Sequence, residues 1–340
     1  MKKLLSTLTI CVVMANVSMA QDPNFSQFFA SPLTLNPALT GKFDGVYRVA
    51  GNYRNQWPTI SNAYTTATIS WDMGIMKNRI PEYDQFGIGL MAFTDRAGDG
   101  ALTNNYAGLS LAYHKGLDEN GYHQIGAGFQ GTYVNKRLNT ANLKFTDMLT
   151  PFGFTGITQE IFTHQQVNVS YFDLNAGFIY NGSTNGYNNF YVGASMYHIN
   201  RPKETFQGGN FVLPSRVTLQ AGGKIPIGTY NYFHFAGNYS TQANAQNIMV
   251  GGAVSLNANN SEDNPTNVYL GAWTRFNNVS DAVIPYVGLE FGEIHLGATY
   301  DVNISPLKVA SNSRGGIELS LIYIKKYTDP NMKKLNCPKF

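Results

Sequence analysis

From Ser215 to Tyr327 the side chains switch between apolar and polar one residue at a time. In Val217–Ile225 the apolar set is Val217, Leu219, Ala221, Gly223 and Ile225, with Thr218, Gln220, Gly222 and Lys224 between them. In Ile294–Val302 the apolar set is Ile294, Leu296, Ala298, Tyr300 and Val302, and His295, Gly297, Thr299 and Asp301 take the other face. A two-residue period means strands with one greasy and one wet face. A tilted strand of about 9–11 residues crosses the hydrocarbon core of a bilayer. Lipid tolerates no open sheet edge, so such strands must close into a barrel.

Seven segments of this kind fill the second half: Ser215–Ile225, Tyr230–Ser240, Asn247–Asn257, Asn267–Asn277, Ile284–Gly292, Glu293–Ile304 and Gly315–Tyr327. Seven more precede them: Val46–Trp57, Tyr64–Met73, Asp84–Asp95, Asn104–Lys115, Tyr122–Arg137, Gln166–Asn181 and Asn189–Asn200. The expectation is an all-β, 14-stranded antiparallel transmembrane β-barrel of the outer membrane, over residues 46–327. The two longest connections, Leu138–Gln165 and Arg201–Pro214, both join an odd strand to an even one. They therefore share a rim. Barrels carry long loops outside and short turns on the periplasmic side, which predicts periplasmic termini for a multi-pass barrel.

Ahead of the barrel, Met1–Ala20 reads as a secretory signal peptide: Lys2 and Lys3, an apolar run from Leu4 to Val17, and Ser18-Met19-Ala20 at the end. Removing it lowers the formal charge from +3 to +1, which points to neither nucleic acid nor an acidic substrate. Charged residues make up 13% of the chain, against roughly 25% in soluble proteins. Tyr (21), Phe (21) and Gly (34) are abundant, the mixture that aromatic girdles and close strand contacts favour. Cys337 remains as a single thiol after processing, so no internal disulfide can form. The tail, 328–340, reads as a polar, basic periplasmic extension.

Motifs that carry chemistry are missing from the sequence. His114, His123, His164, His198, His234 and His295 show no metal-ligand spacing. There is no Gly-x-Ser-x-Gly elbow and no phosphate-cradling loop. Pairs such as Gly87 with Gly89 and Gly126 with Gly128 read as small positions on a barrel wall. The expectation is no catalytic residue, no metal and no cofactor, a hydrolase assembled from several strands being the remaining enzymatic reading. The polar faces carry Arg48, Arg54, Asp72, Arg216, Lys224, Arg275, Glu290, Asp301 and Glu318. A charge facing lipid near midplane costs about 2–4 kcal/mol, so these nine should face the lumen as paired, hydrated filling. Their mixed signs argue against a strongly ion-selective pore.

The segment before the barrel, 21–45, has its own pattern. Asp22-Pro23, Phe25-Ser26-Gln27-Phe28, Ser31-Pro32 and Asn36-Pro37-Ala38-Leu39-Thr40-Gly41 follow in close order, then Tyr53–Trp57. The prolines donate no backbone hydrogen bond and resist regular structure, while Phe25, Phe28, Phe29, Leu33 and Leu35 need burial. An extended segment tucked into the periplasmic mouth of the barrel is the expectation. This opening resembles that of the PorP/SprF family of type IX secretion system outer-membrane proteins, and Cys337-Pro338 followed by Phe340 resembles that family's ending.

The resemblance implies a non-enzymatic outer-membrane component that supports secretion and surface anchoring of a cargo with a type IX C-terminal domain, such as a gliding adhesin. It also implies contact with periplasmic or peptidoglycan-associated secretion-system proteins. Candidate plug or partner-binding residues are Asp22, Pro23, Phe25, Ser26, Gln27, Asn36, Pro37 and Gly41. Phe145, Phe152 and Phe154 join them, because the loop Leu138–Gln165 is too greasy to stand free. The competing reading is a channel for small hydrophobic solutes, resembling the fourteen-stranded fatty-acid transporters.

Overall fold

Strands form where the alternation runs, and each pairs with its neighbours in the sequence. The computed structural model describes residues 22–327 and Cys337, apart from 59–63, 77–79, 82, 99–100, 162–163, 165, 207–209, 262–263, 278 and 307. The signal-peptide reading and most of the tail lie outside the described residues. The barrel strands are β1 (Tyr47–Gln56), β2 (Tyr64–Ile75), β3 (Gln85–Ala97), β4 (Leu102–Gly116), β5 (Gln124–Asn139), β6 (Gln166–Gly182) and β7 (Asn189–Tyr197). They continue as β8 (Arg216–Pro226), β9 (Tyr232–Gln242), β10 (Ala245–Asn257), β11 (Thr266–Asn277), β12 (Val279–Phe291), β13 (Ile294–Asn303) and β14 (Arg314–Lys325). All pair antiparallel, and β1 pairs with β14 from Tyr47↔Lys325 to Gln56↔Gly316, which closes the cylinder.

The faces are inverted relative to a soluble protein. On β5, Phe129 is 69% exposed while Gln130 and Thr132, on the opposite face of the strand, are buried. On β8, Val217, Leu219 and Ile225 point out, and Thr218 and Gln220 point in. An outer wall rich in exposed Leu, Ile, Val and Phe is stable only against lipid. No helix among the described residues is long and apolar enough to cross a membrane. This is a 14-stranded outer-membrane β-barrel.

The connections 140–165, 198–215 and 304–313 share one rim, and the start of β1 and end of β14 lie at the other. Within the first of these, Leu149–Thr150 pairs with Gly153–Phe154 as a small hairpin. One strand begins earlier than its pattern suggests. β12 starts at Val279 and not at Ile284: the register shifts between Arg275 and Phe276, so Asp281 is the extra, unpaired residue while Val279 and Ser280 still pair with Asn277 and Phe276.

The larger departure concerns the segment before β1. It is neither extended nor confined to one mouth. It folds into three single turns, Phe28–Ala30, Pro32–Leu35 and Pro37–Leu39, and runs through the lumen. Pro32 and Pro37 sit at the start of their turns, where the missing N–H costs nothing and the fixed φ suits the helix. Phe28, Leu35, Ala38 and Leu39 join Ile179, Tyr191, Trp273, Ile284 and Tyr286 in one buried cluster. Each large side chain so buried contributes about 1.5–3 kcal/mol.

Candidate functional site: the lumen plug and the long-loop rim

The plug threads the barrel from rim to rim. At the turn rim, the Lys42 ammonium donates to Gln124 at the start of β5, and the Gly41 N–H donates to Asp72 at 2.7 Å. Gly41 has φ +72°, a left-handed conformation that glycine adopts freely. A Cβ there would stand 2.7 Å from the Gly87 Cα of the wall. Gly128 likewise lets the Pro37 backbone lie against β5, since a Cβ would stand 2.5 Å from the Ala38 nitrogen. These wall glycines are a track for the plug.

In mid-lumen, Asn36 holds both its own turn and the wall. Its Oδ1 accepts from the Ala38 N–H at 2.8 Å, and its Nδ2 donates to the carbonyls of Phe178 (3.1 Å) and Ala194 (3.3 Å). The Leu33 carbonyl accepts from Gln130 Nε2 (3.1 Å) and Tyr197 Oη (3.0 Å). The Leu35 carbonyl accepts from Ser195 Oγ at 2.8 Å. The wall's polar faces thus satisfy plug carbonyls that would otherwise be buried unpaired.

Ser26 and Gln27 lie against the closing seam. Their N–H groups donate to the two carboxylate oxygens of Glu318 on β14, at 2.7 and 2.8 Å. Gln27 Nε2 donates to the Glu318 carbonyl at 3.1 Å, and Gln27 Oε1 accepts from Ser320 Oγ at 2.7 Å. From β1, Asn52 and Arg54 donate to the same carboxylate at 2.8 and 3.1 Å. Arg54 also pairs with Asp301 at 2.7 Å, Asp301 pairs with Arg275 at 2.9 Å, and Arg275 pairs with Asp281 at 2.6 Å.

At the long-loop rim the plug ends on Asp22. Its carboxylate accepts from His198 Nε2 at 2.8 Å and lies 3.0 Å from the Arg216 guanidinium. Its N–H donates to Gln242 Oε1 at 2.8 Å. His198 Nδ1 lies 3.0 Å from Asp173, close enough for charge pairing. The His198 backbone has φ +58°, an uncommon value for a non-glycine residue that persists only where surroundings hold it. Burial lowers the His198 pKa, but Asp22 and Asp173 more than offset this and raise it to about 9. Burial raises the Asp22 carboxyl, and His198 and Arg216 outweigh that, holding it well below the usual carboxylate range.

The sequence-derived candidates therefore divide. Asp22, Phe25, Ser26, Gln27, Asn36, Pro37 and Gly41 contact the barrel's own wall, with Pro23 half-buried beside them. Phe152 is fully exposed and Phe154 largely so, while Phe145 is half-buried. The nine charges all sit on the inner wall. Arg48 pairs with Asp72 at 2.8 Å; Glu290 accepts from Asn267 and Tyr269 at 2.7 and 2.5 Å; the Lys224 ammonium lies 5.2 Å from the centre of the Tyr232 ring; the others belong to the networks above. Residues not anticipated include Asp173, Asn52, Gln130, Gln242 and Ser320, all on inward positions of the same alternation. Cys337 is free and buried, so this part of the tail does not project into solvent. Among the described residues no group of His, Cys, Asp and Glu could hold a metal ion.

The family model described as type IX secretion system membrane protein PorP/SprF matches residues 17–323. The chain belongs to the PorP/SprF family. Membership makes it a membrane component of the type IX secretion system. No curated protein matches the chain. Among solved structures it is similar to a mutant TodX monoaromatic hydrocarbon channel, with 10% identity, TM-score 0.48, and coverage of 87% of this chain and 94% of that one. A Pseudomonas aeruginosa FadL homologue gives 10% identity, TM-score 0.45, and coverage of 85% and 92%. CdiB from Acinetobacter baumannii gives 10% identity, TM-score 0.38 and coverage of 82% of this chain, which spans 59% of CdiB.

Proposed function

We propose that this PorP/SprF protein is a non-enzymatic platform that supports secretion and surface anchoring of a cargo with a type IX C-terminal domain, a gliding adhesin being one such cargo. The observation that carries the reading is the filled lumen. The plug's apolar residues and the wall form one buried cluster, and seven of the nine wall charges, Arg48, Arg54, Asp72, Arg216, Arg275, Asp301 and Glu318, pair with the plug or with one another. A barrel closed in this way works through its rims. The same closure speaks against a channel for hydrophobic solutes. It also argues against hydrolysis: Ser255 Oγ lies 3.1 Å from His234 Nε2, but both side chains are buried in the wall.

In this reading the long-loop rim faces the cell exterior and meets the cargo. The barrel termini face the periplasm and meet periplasmic or peptidoglycan-associated secretion-system proteins. Phe152, Phe154, Ile157 and Ile161 are exposed on the loop 140–165, and an apolar group of this kind on a polar rim suits a protein partner. A crosslinking pull-down from intact outer membranes tests the reading. Wild type should capture the cargo, and the double variant Phe152→Ser/Phe154→Ser should capture at least about tenfold less at equal barrel level, as for loss of anchor aromatics. Equal capture would overturn the assignment of this loop. Capture of no secretion-system component or cargo would overturn the platform reading.

A further inference from the structure

The outer wall of β2–β6 carries a layered strip that the platform reading does not use. At the long-loop end, Arg96 and Arg137 both pair with Thr103, one from each side. Two strand spacings separate the arginines by about 10 Å. Both are exposed, and they face outward by the alternation of their strands. Neither enters an ion pair among the described residues. The outward positions of β2–β6 carry no carboxylate. The other outward cation, Lys115, is at the turn end and pairs with Asp84 at 3.1 Å.

Two residues further along each strand comes a neutral polar row. Thr94 Oγ1 donates to Asn105 at 2.9 Å, and Asn135 donates to Ser170 at 2.9 Å. The next rows are apolar. They enclose a hollow of about 640 Å³, lined by Ile69, Leu90, Ala92, Leu109, Tyr133 and Phe172 among others. The hollow exists because Gly131 lacks a side chain and nothing stands within 4 Å of where its Cβ would be. Ala92 and Ala107, paired across β3 and β4, keep its floor low. Tyr133 and Phe172, packed edge to face at 5.5 Å, raise one flank.

Cationic, neutral-polar and apolar layers in this order, about 6–7 Å apart along the strands, repeat the layering of a lipid: phosphate, polar linkage, acyl chain. Guanidinium forks match phosphate oxygens bidentately, and unpaired basic groups at the headgroup level attract anionic lipid. We propose that this strip is a binding site for a phosphate-bearing lipid, with an acyl chain in the hollow and the phosphate held by Arg96 and Arg137. Its leaflet rests on the orientation proposed above, which places the strip in the outer leaflet and makes the ligand a phosphorylated glycolipid.

Native mass spectrometry of the barrel released from outer membranes in mild detergent reads the bound lipid directly. Wild type should retain a phosphorylated glycolipid. The double variant Arg96→Gln/Arg137→Gln should retain about tenfold less or lower. Gly131→Leu, with both arginines intact, should fill the hollow and lower retention to a similar degree. Lys115→Gln should retain it as wild type does. Heat-modifiable gel migration establishes that each variant is folded. Unchanged retention in both the arginine and Gly131 variants overturns the site. Retention of a glycerophospholipid instead, lost in the same variants, overturns the glycolipid assignment and the orientation beneath it.

Discussion

Arg54 of β1 and Glu318 of β14 meet at 3.1 Å inside the strand pair that closes the barrel, and the plug backbone at Ser26 and Gln27 donates to the same carboxylate. The seam is therefore held twice, by its ladder and by the segment it encloses. Four donors converge on one buried carboxylate: two plug N–H groups, Asn52 and Arg54.

Replacing Glu318 with Leu removes the acceptor shared by those donors and leaves Arg54 with Asp301 as its remaining ion-pair partner, beside its hydrogen bonds to Ser26 and Gln56. Breaking a buried pair from one side costs about 3–5 kcal/mol. Urea unfolding of the reconstituted barrel should show a loss in that range, with a smaller loss for Glu318→Gln, which keeps an acceptor. A loss below about 0.5 kcal/mol, the range of surface substitutions, would remove the seam from the account.

Gly128→Val tests the track. Its Cβ would collide with the backbone at Pro37 and Ala38, so the plug cannot seat, and the yield of heat-modifiable, folded barrel should fall severalfold. Gly131, on the same strand with open space on the outer wall, should accept Val with no loss of folded yield. Equal yields for both variants would mean that the plug does not lie where Gly128 admits it.

The Asp22 latch should depend on pH in a defined window. His198 is raised to about 9, so its contribution is complete below about pH 6.5 and is lost as pH rises through about 9. Asp22 is depressed, so its contribution is present above about pH 4 and is lost only in stronger acid. A spin label at Pro23→Cys should be immobilised at pH 7 and measurably more mobile by pH 10, where Arg216 and Gln242 alone still hold Asp22. In a His198→Gln background the alkaline transition should vanish. A pH-independent spectrum in the wild-type background would contradict the latch.

Much of the barrel is legible in the sequence because lipid on one side and a polar lumen on the other force a strict two-residue period. Leu219 against Gln220 is enough to orient β8. The strand order follows from antiparallel neighbours. Val279–Asp281 escaped because a bulge, set by pairing and not by composition, keeps polar residues in β12. The plug's apolar residues declare a need for burial, but not its depth. Its path is set by acceptors and donors spread over β1, β2, β5, β6, β7 and β14, such as Asn52, Asp72, Gln130 and Glu318, which meet only once the cylinder closes. His198 gives no local signal at all. Its role comes from a left-handed backbone at the end of β7 that turns the ring toward Asp22.

Solute flux through the reconstituted wild-type barrel tests the closed lumen most directly. Liposomes carrying the protein should match protein-free liposomes for both a small sugar and a small hydrophobic dye, because the segment from Asp22 to Lys42 fills the bore. Saturable passage of either solute would contradict a plugged platform and favour a conducting channel.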